Sequence, residues 1–303
     1  MRGETLSPVA SGAGLTVGAA TAGARAVLER AGLADAAREA AELYACLVHR
    51  PASAAWLDRD GSCEPALAAA LAEAARRRAG GWPQAYAAGW ADFRGIWLAV
   101  DARVLIPRPE TEGLVDVVLG WLRGEGAGSA AASPLVVDAG TGSGAIAIAL
   151  ALESPARVVA TDSSAAALEV ARANVAAHGL AGRLDCRQGD FLAPLGEERA
   201  DVVVGNPPYV ATAEWERLEP GVRDHEPRAA LDGGADGLGP TRRLVAAAYR
   251  SLRAGGRGLL ALEVDAARAG ESAAVAAAAG FVDCVVLEDL FGRPRYLRAR
   301  RPA

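Results

Sequence analysis

From Leu135 to its end the chain alternates short apolar runs with helical stretches, a pattern that few architectures satisfy. Leu135–Asp138, Arg157–Asp162, Leu184–Gln188 and Asp201–Val204 read as strands, with helices over Ala145–Leu152 and Ala165–His178 between them. A helix around 241–253, a strand over Gly258–Val264, a helix near 270–279 and strands near 282–287 and 295–299 complete the series. Strands that are apolar throughout and separated by helices belong to a mainly parallel sheet covered on both faces. The last two runs lie close enough in sequence to pair antiparallel. The expected fold is α/β, with a mostly parallel seven-stranded sheet.

Upstream the periodicity differs. Residues 19–80 carry Leu28, Leu33, Leu43, Leu47, Leu67 and Leu71 among Ala, Glu and Arg, as in a small amphipathic helical bundle. Gly80-Gly81 and Pro83 end it. Residues 81–105 turn to short aromatic and β-branched runs and read as a linking hairpin. A helix over 111–123 and a flexible connection over 124–134 precede the first core strand. Three parts are expected: a helical domain over 19–80, the hairpin over 81–105, and a larger domain over 106–303.

The charge balance is 32 basic against 37 acidic residues, a net −5, which argues against broad nucleic-acid binding. Cys46, Cys63, Cys186 and Cys284 are scattered and His49, His178 and His225 lack ligand spacing, so neither a disulfide framework nor a metal site is expected. Residues 1–18 look like a frayed leader, not a signal peptide. No apolar run approaches the roughly 18 residues of a membrane span, and a soluble, cytoplasmic protein is expected.

Motifs gather at the strand ends. Asp138-Ala139-Gly140-Thr141-Gly142-Ser143-Gly144 separates the first core strand from its helix. Glycines there permit a tight turn and close backbone approach by a ligand, although such a loop alone is also an ordinary turn. It is not a phosphate-binding P-loop, since no Gly-Lys-Ser/Thr follows. Asp162 ends the second strand, where a carboxylate meets ribose hydroxyls. Asp190-Phe191 ends the third, offering an acceptor for an exocyclic amine beside a ring that can stack; the competing reading of Asp190 is a helix cap. Asn206-Pro207-Pro208-Tyr209 follows the fourth. Two successive prolines cannot continue a sheet and hold the backbone extended, leaving an amide before them and a ring after them. Such a platform suits a flat, neutral NH2 group. Asp138, Asp162, Asp190 and Asn206 all lie at the carboxyl ends of strands, the expected ligand face.

At these residues the chain resembles the Rossmann-like, class I methyltransferases dependent on S-adenosyl-L-methionine. More closely it resembles the release-factor glutamine N5-methyltransferases, the PrmC/HemK family. The closer likeness rests on Ile106-Pro107-Arg108-Pro109-Glu110-Thr111-Glu112, on the segment from Glu226-Pro227-Arg228 through Asp232-Gly233-Gly234 to Leu238, and on Gly292-Arg293-Pro294-Arg295. The tetrapeptide alone is shared with enzymes that methylate exocyclic amines of adenine or cytosine. The resemblance implies methyl transfer to the side-chain amide of the glutamine in the Gly-Gly-Gln motif of class I peptide chain release factors, with the helical part binding substrate. It implies cofactor contacts from Gly140, Thr141, Gly142, Ser143, Gly144, Asp162, Asp190, Phe191, Asn206 and Arg108. Asn206, Pro207 and Tyr209 would do the chemistry, with Pro208 holding the geometry and Phe93 walling the glutamine pocket. Glu110 or Glu112 would cap the following helix. No metal, stable nucleic-acid binding or membrane is implied, and a monomer is expected. A ribosomal-protein glutamine, or adenine N6 in DNA or RNA, are the alternative acceptors. The family's usual Glu-x-Gly-x-x-Gln is replaced by Glu263-Val264-Asp265-Ala266-Ala267-Arg268, a segment read as outside the chemistry.

Overall fold

The computed structural model describes residues 14–124 and 133–302, which fall into two compact units with the boundary between Ala88 and Gly89. The leader expected over 1–18 lies outside the described residues as far as 13. Its remainder is built into the fold: Cys63 N donates to Leu15 O at 2.8 Å and Val17 is buried. The connection expected over 124–134 also lies, apart from its ends, outside the described residues.

The first unit contains α1 (Val17–Arg30), α2 (Ala36–Val48), α3 (Ala54–Leu57), α4 (Pro65–Ala79) and α5 (Gln84–Ala88). The Thr16 side chain accepts from Ala19 N at 3.1 Å and caps α1. Pro65 opens α4, where its missing N–H would have had no partner anyway. Leu28, Leu43 and Leu71 meet at the centre with no exposed surface, ringed by small residues such as Ala24, Ala40 and Ala75. The other three expected leucines, Leu33, Leu47 and Leu67, sit partly buried around that centre.

The second unit begins with the hairpin β1 (Trp90–Phe93) and β2 (Ile96–Ala99). Its two turn residues, Arg94 and Gly95, have φ of +56° and +74°, the two-residue turn whose twist matches a hairpin. After α6 (Thr111–Arg123) come β3 (Leu135–Ala139), α7 (Ala145–Glu153), β4 (Arg157–Asp162), α8 (Ala165–Ala177), β5 (Leu184–Gln188) and β6 (Val202–Gly205). The chain continues through α9 (Pro220–His225), α10 (Gly239–Ser251), β7 (Gly258–Glu263), α11 (Ala269–Ala278), β8 (Val282–Glu288) and β9 (Pro294–Arg301). The seven strands from β3 onward form one sheet in the order β5-β4-β3-β6-β7-β9-β8. Neighbours are parallel except β9, which runs antiparallel to both β7 and β8. The mostly parallel seven-stranded sheet is therefore as the alternation implies.

Strand period sorts the side chains into two cores. Val136, Val158, Val202 and Val204 pack with Leu114, Val118 and Ile148 on one face, while Val137, Val159, Val203 and Leu260 pack with Leu244 and Ala248 on the other. Every residue of β3, β6 and β7 is buried, as central parallel strands require. The connections leave β3 in one direction and β6 in the other, so the carboxyl ends of this adjacent pair border a crevice. Among the described residues no helix is long and apolar enough to cross a membrane.

Candidate active site

A cavity of about 270 Å³ opens at that crevice. Its floor is the glycine loop. Gly140, Gly142 and Gly144 have φ of +82°, +54° and +88°, values that side chains resist. A Cβ at Gly140 or Gly142 would meet nothing within 4 Å, so the backbone there is bare toward the cavity. Gly144 does a different job: it does not line the cavity, and a Cβ there would stand 3.2 Å from Ile148 Cδ1, between α7 and α8. Thr141 and Ser143 are buried lining residues. The Thr141 hydroxyl donates to Asp138 Oδ2 at 2.6 Å.

Asp138, one residue before the end of β3, lies inside the protein, not on the ligand face. It is fully buried and absent from the cavity wall, and desolvation pushes its carboxyl up to about 7 despite the Thr141 hydrogen bond. Asp162 does reach the cavity. Its Oδ2 accepts from Gly142 N at 3.0 Å and its Oδ1 from Ser164 N at 2.9 Å, which fixes the carboxylate while leaving lone pairs for hydroxyl donors. Asp190 and Phe191 also line the cavity. Arg243, absent from the sequence reading, pairs with Asp190 at 3.1 Å and lies 5.2 Å over the Phe191 ring. Both partners of this pair are exposed, so it is worth at most about 1 kcal/mol and yields readily to a ligand.

Asn206, Pro207 and Pro208 also line the cavity; Tyr209 does not. Asn206 Nδ2 donates to Thr111 Oγ1 at 3.3 Å, and that hydroxyl donates to Glu263 Oε2 at 2.7 Å. Tyr209 points its hydroxyl at the other oxygen of Glu263, 3.4 Å away. Burial raises the pKa of both Tyr209 and Glu263, the latter opposed by Thr111 and Arg295. The segment after Tyr209 is held by the downstream motif: Val210 N donates to Leu231 O at 2.9 Å, and Gly233 N to Val210 O at 2.7 Å. Glu226 reaches elsewhere, accepting from Ile106 N at 3.1 Å and from the Arg108 guanidinium. Arg108 borders the cavity from that anchored position. Phe93 borders it too, with its ring wholly buried. Asn174, likewise unforeseen, donates to Ser143 O at 2.9 Å and Ala99 O at 3.0 Å and accepts from Ala99 N at 2.8 Å.

One further reading of the sequence needs correction. Neither Glu110 nor Glu112 caps α6 through its side chain; Glu112 Oε1 instead accepts from Arg94 N at 3.0 Å. The segment read as outside the chemistry begins against the platform, with Glu263 hydrogen-bonded to both Thr111 and Tyr209. Its position was a usable signal, being one more acidic residue at the carboxyl end of a parallel strand. Further along, Arg268 pairs with Asp265 and, at 2.6 Å, with Glu214.

A bare glycine turn, an anchored carboxylate and an aromatic ring along one cavity fit a nucleoside-bearing cofactor. The methyltransferase small domain model matches residues 129–218. The release factor glutamine methyltransferase of Cereibacter sphaeroides is 40% identical over 91% of this chain and 95% of its own. That of Agrobacterium fabrum is 35% identical over 97% of this chain and its whole length. The chain belongs to the release factor glutamine methyltransferase family. That of Moorella thermoacetica, 43% identical over 85% of this chain and 88% of its own, is a further relative. Among solved structures the catalytic domain of hMettl16, in complex with a MAT2A 3′UTR hairpin, aligns with a TM-score of 0.53 at 15% identity over 76% of this chain and 82% of that one, a likeness of fold. The fold of this release factor glutamine methyltransferase family member is thus that of class I methyltransferases, and its cofactor is S-adenosyl-L-methionine.

Proposed function

We propose that the protein transfers the methyl group of S-adenosyl-L-methionine to the side-chain amide N5 of the glutamine in the Gly-Gly-Gln motif of class I peptide chain release factors. One observation carries the reading: within this family, the Asn206-Pro207 platform and the Asp162-anchored glycine loop share a single cavity. We assign the helical segment 19–80 to release-factor binding, the hairpin over 81–105 to linkage, and 106–303 to catalysis.

A carboxamide nitrogen is a poor nucleophile because its lone pair is delocalised into the carbonyl. Deprotonating it near neutral pH is too costly for a base to be the main device, so placement has to do the work. Asn206 Oδ1 and the Pro207 carbonyl accept the two N–H bonds of the glutamine amide and aim its nitrogen. The two prolines keep those acceptors from drifting. Pre-placement of this kind removes up to about 7–11 kcal/mol of barrier, against the roughly 10²–10⁴-fold available from a general base. When bound, the cofactor supplies a methyl group on a sulfonium whose positive charge disappears as the S–C bond breaks and sulfur keeps the electron pair. The glutamine nitrogen, having gained the methyl carbon, sheds its extra proton to water. Asp162 would hold the ribose hydroxyls, and Asp190 with Phe191 the adenine, in place of the exposed pair that Arg243 makes with them. Tyr209 stiffens the platform from behind.

Incubation with S-adenosyl-L-methionine and a purified class I release factor, followed by peptide mass spectrometry, tests the proposal. The mass of one methyl group on the Gly-Gly-Gln glutamine is expected. Methylation confined to ribosomal protein or nucleic acid overturns it.

A further inference from the structure

Thr111 stands between Asn206 and Glu263, and a hydroxyl has one proton to give. That proton goes to Glu263 Oε2 over 2.7 Å, so toward Asn206 the Thr111 oxygen can only accept. Only the NH2 end of the Asn206 carboxamide can then face it, which turns Oδ1 away from Thr111 and leaves it free for the acceptor amide. Thr111 and Glu263 are 5% and 1% exposed, so little water competes for these bonds. Shape cannot make the same choice, because the two ends of a carboxamide are nearly the same size.

We propose that Glu263, acting through the Thr111 hydroxyl, is the positioning residue that keeps the oxygen of Asn206 toward the nitrogen to be methylated. The inference rests on the role given to Asn206 in the proposed function. Reversed, Asn206 would offer N–H to the N–H of the substrate amide, a repulsion at the reacting atom. The choice of acceptor is thereby set by the direction of a hydrogen-bond chain that starts on β7 and ends on the platform.

The direction depends on Glu263 being ionised. Thr111 faces it from the start of α6 and Glu110 from just before that helix, Tyr209 from the platform, and Arg295 and Tyr296 from β9. Arg295 and the hydroxyls of Thr111 and Tyr209 favour the charged form. Burial and Glu110 oppose it, and burial prevails to the extent of raising the pKa above the ordinary glutamate value. A protonated Glu263 can donate to Thr111, whose own proton is then free to turn toward Asn206 and admit the reversed amide. Turnover should therefore fall as pH drops through that raised pKa, without a matching loss of cofactor binding.

Thr111→Val removes the hydroxyl at nearly constant shape, and Thr111→Ser keeps it. Both are assayed for methyl incorporation into release factor, with cofactor affinity by calorimetry and melting temperature alongside. Thr111→Val is expected to lower kcat about ten-fold, the scale of one misdirected hydrogen bond. The KM for cofactor should stay near wild type, the melting temperature should fall because buried Glu263 loses a hydrogen-bond donor, and Thr111→Ser should recover most of both the rate and the stability. Glu263→Gln should flatten the acidic limb of the kcat profile. A Val variant with wild-type kcat, a Ser variant as slow as Val, or an unchanged acidic limb in Glu263→Gln each overturns the inference. Wild-type protein that leaves the release factor unmodified overturns the proposed function instead, so the two failures are told apart.

Discussion

Gly205 lies so close to Ala139 that a Cβ on it would stand 2.6 Å from the Ala139 carbonyl oxygen. The two residues end the neighbouring strands β6 and β3, and the contact brings the start of the Asn206 platform beside the start of the glycine loop. Gly205→Ala should force these strand ends apart. A loss of about 1–3 kcal/mol is expected for such overpacking, read as a lower urea midpoint at constant m-value. Turnover should fall by more than the unfolded fraction accounts for, because both halves of the cavity shift.

Asn206→Ala should be far more selective. The side chain makes one long hydrogen bond, 3.3 Å to Thr111, so its removal should change stability by less than about 1 kcal/mol. Losing an acceptor aimed at the reacting amide should lower kcat by about 10²–10³. A tritiated-methyl assay returning near-normal turnover would remove Asn206 from the chemistry.

The ring and hydroxyl of Tyr209 can be separated. Its hydroxyl lies 3.4 Å from Glu263, a weak contact, so Tyr209→Phe should cost no more than about three-fold in kcat. Tyr209→Ala removes the packed ring and should cost at least about ten-fold. Equal losses in the two variants would assign the effect to the hydroxyl.

Glu226 has a buried carboxylate shared between Ile106 N and the guanidinium of Arg108, a residue that lines the cavity. Glu226→Ala leaves that amide and part of that charge without a partner, a loss of about 1–3 kcal/mol in denaturant unfolding. Calorimetry should also find weaker binding of S-adenosyl-L-methionine. Unaltered affinity would restrict Glu226 to folding.

Asp138 predicts a pH effect whose sign is the reverse of a salt-bridged carboxylate. Its pKa rises from the ordinary 3.8 to about 7 on folding, so within that window the folded protein holds a proton that the unfolded chain has lost. Stability is then greatest below the window and declines as pH rises through it, levelling off above about 7. Asp138→Asn should flatten this slope by up to about 1.4 kcal/mol per pH unit. Urea unfolding of both proteins across the window decides it; parallel curves would show that Asp138 stays ionised.

Much of this fold is visible in the chain because burial on both faces makes central strands apolar from end to end. The expected limits of the strands Arg157–Asp162 and Leu184–Gln188 match those observed. Local chemistry was equally plain at the glycine loop and at the paired prolines, where backbone freedom or rigidity is written into single residues. Contacts over long separations were not. Thr111 and Glu263 are 152 positions apart, and meet only because β7 aligns its last residue with the first turn of α6. The same limit hid the inward turn of Asp138 and the placement of Tyr209 behind the platform, since a position at a strand end does not tell which way a side chain leaves it.

The three hydrogen bonds of Asn174 bind the last residue of the β1–β2 hairpin to the carbonyl of Ser143 in the glycine loop. One buried amide thus ties the hairpin that carries Phe93 to the turn that faces the cofactor. A change of hairpin shape that displaces Ala99 is therefore felt at Ser143 in the glycine loop, on the other side of the same amide.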